Sequence, residues 1–182
     1  METERVLVSA ASPDRTGEDR DALFRSRLEL SIEGAFRLAA AIVGPTGDPE
    51  DAMQDAIERA WRSRHALRDP GSFDAWFQRI VVNACRDRLR RMKSSPVFVA
   101  MGVGAARADD SADLAETTAQ RDAVRIALDR LNVDQRIVIA LRFFLDLEVD
   151  EIARRTDTRP GTVKSRLHRG LEQLRKAWEI DR

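Results

Sequence analysis

The chain predicts an all-α fold of two small helical domains joined by a flexible linker. Three observations carry this. Apolar residues recur at three- and four-residue steps from Asp21 to Arg91 and again from Val124 onward, the signature of helices with one buried face. Residues 94–120, SSPVFVAMGVGAARADDSADLAETTAQ, are small, glycine-containing and aperiodic. Glu148 to Trp178, EVDEIARRTDTRPGTVKSRLHRGLEQLRKAW, reads as a helix, a tight turn and a second, basic helix. With 182 residues, 43% hydrophobic and 34% charged, the chain suffices for one medium domain or two small ones.

Residues 1–20 are polar and without helical period, which predicts a mobile tail. A first helix over about Asp21–Val43 is expected to bury Leu28, Ile32, Phe36 and Ala39, and GPTGDP, Gly44 to Pro49, breaks it. The second helix has several start signals: Asp48 as N-cap, Pro49 in the first turn, and Glu50 and Asp51 at the positive dipole end. It runs to about Arg64, with Ala52, Met53, Ala56, Ile57, Ala60 and Trp61 on one stripe. Asp51, Gln54, Asp55 and Glu58 form a largely acidic outer face, which by itself reads equally well as a solvated surface.

RDPGS, Arg68 to Ser72, breaks the pattern again before a third helix over about Ser72–Lys93. This helix is expected to bury Phe73, Phe77, Ile80 and Ala84 and to present Arg79, Asn83, Arg86 and Arg90 on the opposite side. Between Phe73 and Lys93 six basic residues face two acidic ones, a local balance of plus four and a candidate nucleic-acid surface. Trp76 lies beside it, where a ring can stack on an exposed base, although tryptophan at helical spacing is more often core.

The acidic linker spans 94–120, and four helices are expected in the C-terminal domain, 121–182. The first carries Val124, Leu128 and Leu131 and the next Ile137, Val138, Leu141 and Phe144. In the last helix Val163, Leu167, Leu171, Leu174 and Trp178 follow at steps of four, four, three and four, which places them on one buried face. Lys164, Ser165, His168, Arg169, Arg175 and Lys176 then point outward on a rod that fits a major groove about 12 Å wide. The ten residues from Ala153 to Val163 match a tight helix-turn-helix, and Pro160 and Gly161 suit the second helix's entry. Asp157 occupies the turn position where glycine is easiest, and aspartate tolerates positive φ at some cost.

Formal net charge is zero, yet from Arg154 to Lys176 eight Arg or Lys face Asp157 and Glu172, a local plus six. A neutral whole with one basic helix is expected to hold naked DNA weakly and to need a partner, since phosphate neutralisation supplies most non-specific affinity. Cys85, the sole cysteine, excludes an intramolecular disulfide and a multi-cysteine zinc cluster, fits a reducing cytosol and reads as a small core residue. No metal or cofactor is expected: His168 has no second ligand near it in sequence, and GxxxxGK[ST] is absent. The N-terminus shows neither a bilayer-spanning apolar run nor a signal-peptide pattern, so a soluble, cytoplasmic protein without direct membrane insertion is expected.

Taken together, DPEDAMQDAIERAW (Asp48–Trp61), FDAWFQRIVVNACRDRLRR (Phe73–Arg91), DQRIVIALRFFLDLEVDEIA (Asp134–Ala153) and GTVKSRLHRGLEQLR (Gly161–Arg175) resemble the extracytoplasmic-function (ECF) sigma factors of bacterial RNA polymerase. The resemblance covers roughly Leu23 to Trp178. It implies a region-two helical bundle over 21–93 and a region-four helix-turn-helix over 121–182. By the same resemblance Asp51, Gln54, Asp55 and Glu58 would contact the β′ clamp helices of the polymerase core. Arg64 to Ser72 would capture a flipped base of the minus-ten element, and Arg79, Asn83, Arg86 and Arg90 would hold the upstream duplex edge and the separated strand, with Phe73 and Trp76 also at the minus-ten DNA.

Lys164, Ser165, His168 and Arg169 would read the minus-thirty-five element, and Thr162 and Arg166 would touch phosphate. The implied partners are RNA polymerase core, through β′ clamp helices and β flap, promoter DNA and an anti-sigma factor. Melting costs about 1.4 kcal/mol of stacking per step, which binding of exposed bases would offset without ATP. Two positions depart from the family pattern. Asn132 replaces a proline but can cap the following helix with Gln135, and Thr156, Asp157 and Thr158 replace an apolar–glycine–apolar turn, which predicts a weakened turn. A stand-alone helix-turn-helix regulator is the alternative, separable by a gel shift without core polymerase. With two histidines, one cysteine and no tyrosine, an enzyme is poorly supplied with catalytic groups.

Overall fold

Helix formation starts earlier than periodicity predicts. The computed structural model describes residues 13–44, 47–67, 69–94, 127–128 and 130–180, and its first helix, α1, runs Pro13–Val43. The tail expected through Arg20 is therefore helical from residue 13, while residues 1–12 lie outside the described ones. Proline suits a first helical turn, and extending an already docked helix costs little per residue. Residues 17–20 are exposed, so no apolar period marks them. Gly44, at φ 69°, closes α1 with its N–H on the Ala40 carbonyl at 2.9 Å.

Helix α2 (Pro49–Ser63) begins as its sequence predicts: the Asp48 carboxylate accepts from the Asp51 N–H at 3.2 Å, with Pro49 in the first turn. Ala52, Ala56 and Ala60 are fully buried, and these small side chains let helix α3 (Phe73–Ser94) lie close alongside. Between them the chain makes two short 3₁₀ turns, 64–66 and 70–72. At the end of the bundle Phe24 sets its ring edge-on to Trp61 and Phe73, both at 5.6 Å, and to Trp76 at 6.4 Å. Cys85 is buried in α3, and the apolar surroundings push its thiol up to about 12.

Helices α4 (Val133–Phe144), α5 (Val149–Thr156) and α6 (Pro160–Ile180) follow. The Asn132–Gln135 capping box forms in both directions, at 2.9 and 3.0 Å. The linker expected over 94–120 falls, from residue 95, outside the described residues. So does most of the helix expected around Val124, of which Ala127 and Leu128 are helical. The two modules share one core: buried side chains run from Phe24 and Leu38 through Phe77 and Val82 to Ile137, Leu141, Ile152 and Val163. Helix α4 packs on α1 and α3, and α5 on α3.

Two buried stripes differ from those the sequence predicts. In α1 the buried residues are Phe24, Ala35, Leu38, Ala39, Ile42 and Val43, whereas Ile32 is 40% and Phe36 38% exposed. In α6 the buried seam is Val163, Gly170 and Ala177, with Leu171 39% exposed and the Trp178 side chain outside the described ones. The cause is helical geometry. Successive four-residue steps each turn about 40° past a full rotation, whereas a seven-residue step falls only about 20° short of two. Gly170 belongs to the seam because α4 crosses there; a Cβ on it would lie 2.6 Å from the Ile139 Cδ1 atom.

This geometry predicts that Gly170→Leu overpacks the α4–α6 crossing and destabilises by about 1–3 kcal/mol, while Leu171→Ala costs less than about 1 kcal/mol. Thermal denaturation of the two variants checks the order.

Candidate nucleic-acid interface

On α6 the cationic face follows from which side is buried. With Val163, Gly170 and Ala177 inward, Lys164, Ser165, His168 and Arg169 are exposed together, and Thr162 lies half-buried at the entry. Arg166 stands apart from this row. Its guanidinium is held by Asp134 of α4 at 2.7 Å and is partly covered. The turn before α6 places Asp157 at φ 52°, ψ 50°, as the need for positive φ predicts. It is better supported than its composition suggests. Thr156 Oγ1 donates to the Ile152 carbonyl and lies 2.7 Å from Thr158 Oγ1, and the Thr158 N–H reaches the Ala153 carbonyl at 3.0 Å. Glu151 binds Arg154 and Arg155, chiefly Arg155, and these hydrogen bonds lower its carboxyl pKa, fixing the basic end of α5.

The second surface lies on α3. Arg79, Asn83 and Arg90 are exposed, and Arg86 is half-buried, donating to the Asn83 side chain at 3.0 Å and standing 3.4 Å from Asp134. Phe73 is a correction. At 2% exposure, packed against Phe24, Trp76 and Phe77, it is a core residue with almost no surface to offer a base. Trp76 is half-buried in the same cluster and keeps part of its ring at the surface.

Arg64 is anchored too. It donates to Asp21 at 2.7 Å and to the Trp61 carbonyl at 2.8 Å, with its guanidinium 3.9 Å over the Trp61 ring. The Arg64 hydrogen bond lowers the Asp21 carboxyl pKa. Ser72, exposed, donates to Asp69 at 2.7 Å, and with the Gly71 N–H it holds the Asp69 carboxyl below its ordinary range.

The acidic face of α2 is half-balanced from within. Asp51 pairs with Arg88 at 2.6 Å, Asp55 with Arg91 at 2.7 Å and Glu58 with Arg62 at 2.5 Å, while Gln54 is exposed. Arg88 is the residue that sequence reading missed. Besides Asp51 it meets Asp48 at 3.3 Å and the Gly47 carbonyl at 3.2 Å, tying α3 to the start of α2. Its partners lie about forty positions away, so nothing local signals the role. Asp134, which gathers Arg86 and Arg166, was likewise unmarked. Among the described residues no cluster of His, Cys, Asp and Glu could hold a metal ion, and no helix is long and apolar enough to cross a membrane.

Known proteins match both halves. Residues 33–95 match the family described as Sigma-70 region 2, and residues 121–174 that described as Sigma-70, region 4. The chain is similar to the ECF RNA polymerase sigma factor SigM of Mycobacterium tuberculosis, 37% identical over 141 residues, covering 76% of this chain and 68% of that protein. It is similar also to the RNA polymerase sigma factor SigV of Bacillus subtilis, 34% identical over 147 residues, covering 77% and 81%. In fold it resembles the sigma factor RpoE of Bartonella quintana, solved in complex with the anti-sigma factor NepR. That match has a TM-score of 0.65 at 22% identity, over 87% of this chain and 98% of the other. CnrH, solved with the cytosolic domain of CnrY, gives 0.62 at 21% identity, over 87% and 89%.

Removing the Arg88 guanidinium leaves Asp48 and Asp51 facing each other across the start of α2. Arg88→Ala is expected to lower stability by about 1.5–3 kcal/mol, on the scale of charged hydrogen bonds, read as a fall in the denaturant midpoint with helicity retained.

Proposed function

The chain belongs to the ECF sigma factors of RNA polymerase, proteins of promoter-specific transcription initiation, and on that premise we propose which of its surfaces does what. The outer face of α2, with Asp51, Gln54, Asp55 and Glu58, docks on the β′ clamp helices of the polymerase core. The Asp51 and Asp55 carboxylates are partly exposed and paired with arginines of this chain. Exposed pairs are worth about 0–1 kcal/mol, so a partner's cation can replace Arg91 beside Asp55 at little cost.

The α3 surface handles the minus-ten element. Arg79, Asn83, Arg86 and Arg90 recur along one flank of a rigid helix, suited to phosphates of the upstream duplex edge and the separated strand. The segment from Arg64 to Ser72 receives an unstacked base, with Trp76 offering the exposed part of its ring. Opening then draws on binding energy: each base stacked on an aromatic returns about 1–3 kcal/mol, against about 1.4 kcal/mol per step of duplex stacking.

The observation that carries the reading is the face of α6. Lys164, Ser165, His168 and Arg169 are exposed together on a helix whose opposite seam is buried against α4, behind a helix and tight turn. This is the presentation by which a recognition helix enters a major groove, and it supports our reading that those four meet base edges of the minus-thirty-five element, with Thr162 and Arg166 meeting phosphate. The β flap is the remaining core partner, and the protein works in the cytoplasm. An anti-sigma factor is its expected regulator, as the partner of RpoE suggests.

Run-off transcription with purified core polymerase across genomic fragments tests the reading, and the protein is expected to create new start sites. Lys164→Ala or Arg169→Ala should weaken preference for one upstream sequence by about 1–3 kcal/mol per lost base contact. Gln54→Ala or Asp55→Ala should weaken co-elution with core. If core polymerase neither retains the protein nor initiates anywhere new, the proposal fails.

A further inference from the structure

Three arginines from two helices meet at the start of a third. A cleft of about 400 Å³ lies between α3, α4 and α6, within the range of about 300–1,000 Å³ of small-molecule sites. Arg90 comes from α3 and Arg166 and Arg169 from α6, and the start of α4 with its cap, from Asn132 to Gln135, completes the lining. Among the described residues Val133 is its one apolar member. Such a lining has little to offer an apolar body and suits a small ligand rich in acceptor atoms.

The charges and hydrogen bonds favour an anion. Three guanidinia stand against one carboxylate, Asp134, so the lining carries plus two. Arg86 of α3, 3.4 Å from the same carboxylate, offsets its repulsion further. Asp134 accepts one N–H of Arg166 at 2.7 Å, which orients that guanidinium and leaves it other donors of its five. The capping box engages the amide oxygens: Asn132 Oδ1 accepts the Gln135 N–H and Gln135 Oε1 the Asn132 N–H, at 2.9 and 3.0 Å. The N–H groups of Val133 and Asp134, in the first turn of this twelve-residue helix, have no intrahelical partner and lie at the positive end of its dipole.

Phosphate is the anion this set fits, because a guanidinium pairs bidentately with phosphate oxygens. Arginines on two helices are engaged together by linked phosphates rather than by one. We propose that the cleft is a binding site for an oligophosphate, two or more linked phosphate groups, held by Arg90, Arg166 and Arg169 over the first turn of α4. The same chemistry is carried by inorganic chains and by nucleotides. Arg169 also belongs to the face of α6 read above as meeting base edges, so a bound oligophosphate competes with promoter DNA. That consequence rests on the reading of α6; the site itself does not.

Isothermal titration calorimetry of the full chain with sodium triphosphate, at constant ionic strength, reads the site directly and is expected to give one-to-one binding. Val133→Trp fills the cleft without altering its charge, and Arg90→Gln removes one group of donors. Each should weaken binding by about tenfold or more, with helicity unchanged by circular dichroism. Arg175→Gln and Arg37→Gln, which remove the same charge from exposed positions outside the cleft, should leave binding nearly unchanged. If Val133→Trp fails to fold, Arg90→Gln against the two controls decides. No binding, binding of several equivalents, a folded Val133→Trp chain that binds as wild type, or equal losses from Arg90→Gln and the controls overturns the site.

Two further arms identify the source and the consequence. A nucleoside triphosphate that binds more tightly than sodium triphosphate makes the ligand a nucleotide, and one that binds equally or less tightly makes it the bare phosphate chain; both support the site. Saturating triphosphate should weaken binding of a minus-thirty-five duplex by the full chain several-fold more than sulfate at equal ionic strength does. Triphosphate binding that leaves DNA affinity unchanged supports the site and rejects the placement of Arg169 on DNA instead.

Discussion

A buried guanidinium sets the relation between the two halves. Arg136 sits at the junction with its charge out of water, which costs several kcal/mol unless compensated. The compensation is the carboxyl end of α1, where the Ile42 and Val43 carbonyls have no partner further along the helix and the helix dipole is negative. Ile137, Val138 and Leu141, next to it on α4, fill the apolar space between α1 and α3. The other side of the same helix receives α6 at Gly170. One twelve-residue helix therefore packs both on the bundle and on α6, and so sets α6 relative to the bundle.

The charge arrangement follows a single pattern. The chain is neutral overall, and several of its cations are balanced across elements: Arg64 by Asp21, Arg88 by Asp48 and Asp51, Arg91 by Asp55, and Arg86 and Arg166 by Asp134. The outer face of α2 and part of the basic flank of α3 are thus balanced from within the chain. The most exposed of these pairs, Arg91 with Asp55, contributes about 0–1 kcal/mol and is readily exchanged, whereas the Arg88 and Arg64 guanidinia are largely covered and tie elements together. Lys164, His168 and Arg169 lie outside this balance, on the outward face of α6.

The local signals in the sequence translate directly into structure. Asp48 caps α2, Asn132 and Gln135 form their box, the alanines of α2 receive α3, and Asp157 takes the left-handed turn, because each depends on neighbours within four residues. Two kinds of information were not local. Ile32, Phe36 and Leu171 were read as core by chaining four-residue steps, which drift off a 3.6-residue face, and the small residues Ala35 and Gly170 hold those places instead. Their burial depends on where another helix crosses. The roles of Arg88 and Asp134 depend on partners tens of residues away, and Phe73, assigned both to the core and to DNA, is settled by the aromatic cluster around it. Of the candidate site, the exposed row on α6 was legible because one basic helix carries all of it.

The turn between α5 and α6 shows how a departure from a family pattern is absorbed. A non-glycine residue at positive φ costs about 1–2 kcal/mol, and Asp157 carries that strain at φ 52°. Buried Thr156 and its neighbour Thr158 return part of it, since an intramolecular hydrogen bond contributes about 0.5–1.5 kcal/mol and Thr156 Oγ1 meets both the Ile152 carbonyl and the Thr158 hydroxyl. The unfolded state contributes as well. Aspartate and two β-branched threonines have fewer conformations to lose than a glycine-centred turn, so less entropy opposes closure. A turn without glycine is therefore not a loose one: it holds α6 at a fixed angle to α5, and a fixed angle is what a helix needs if its outward side chains are to meet base edges in register.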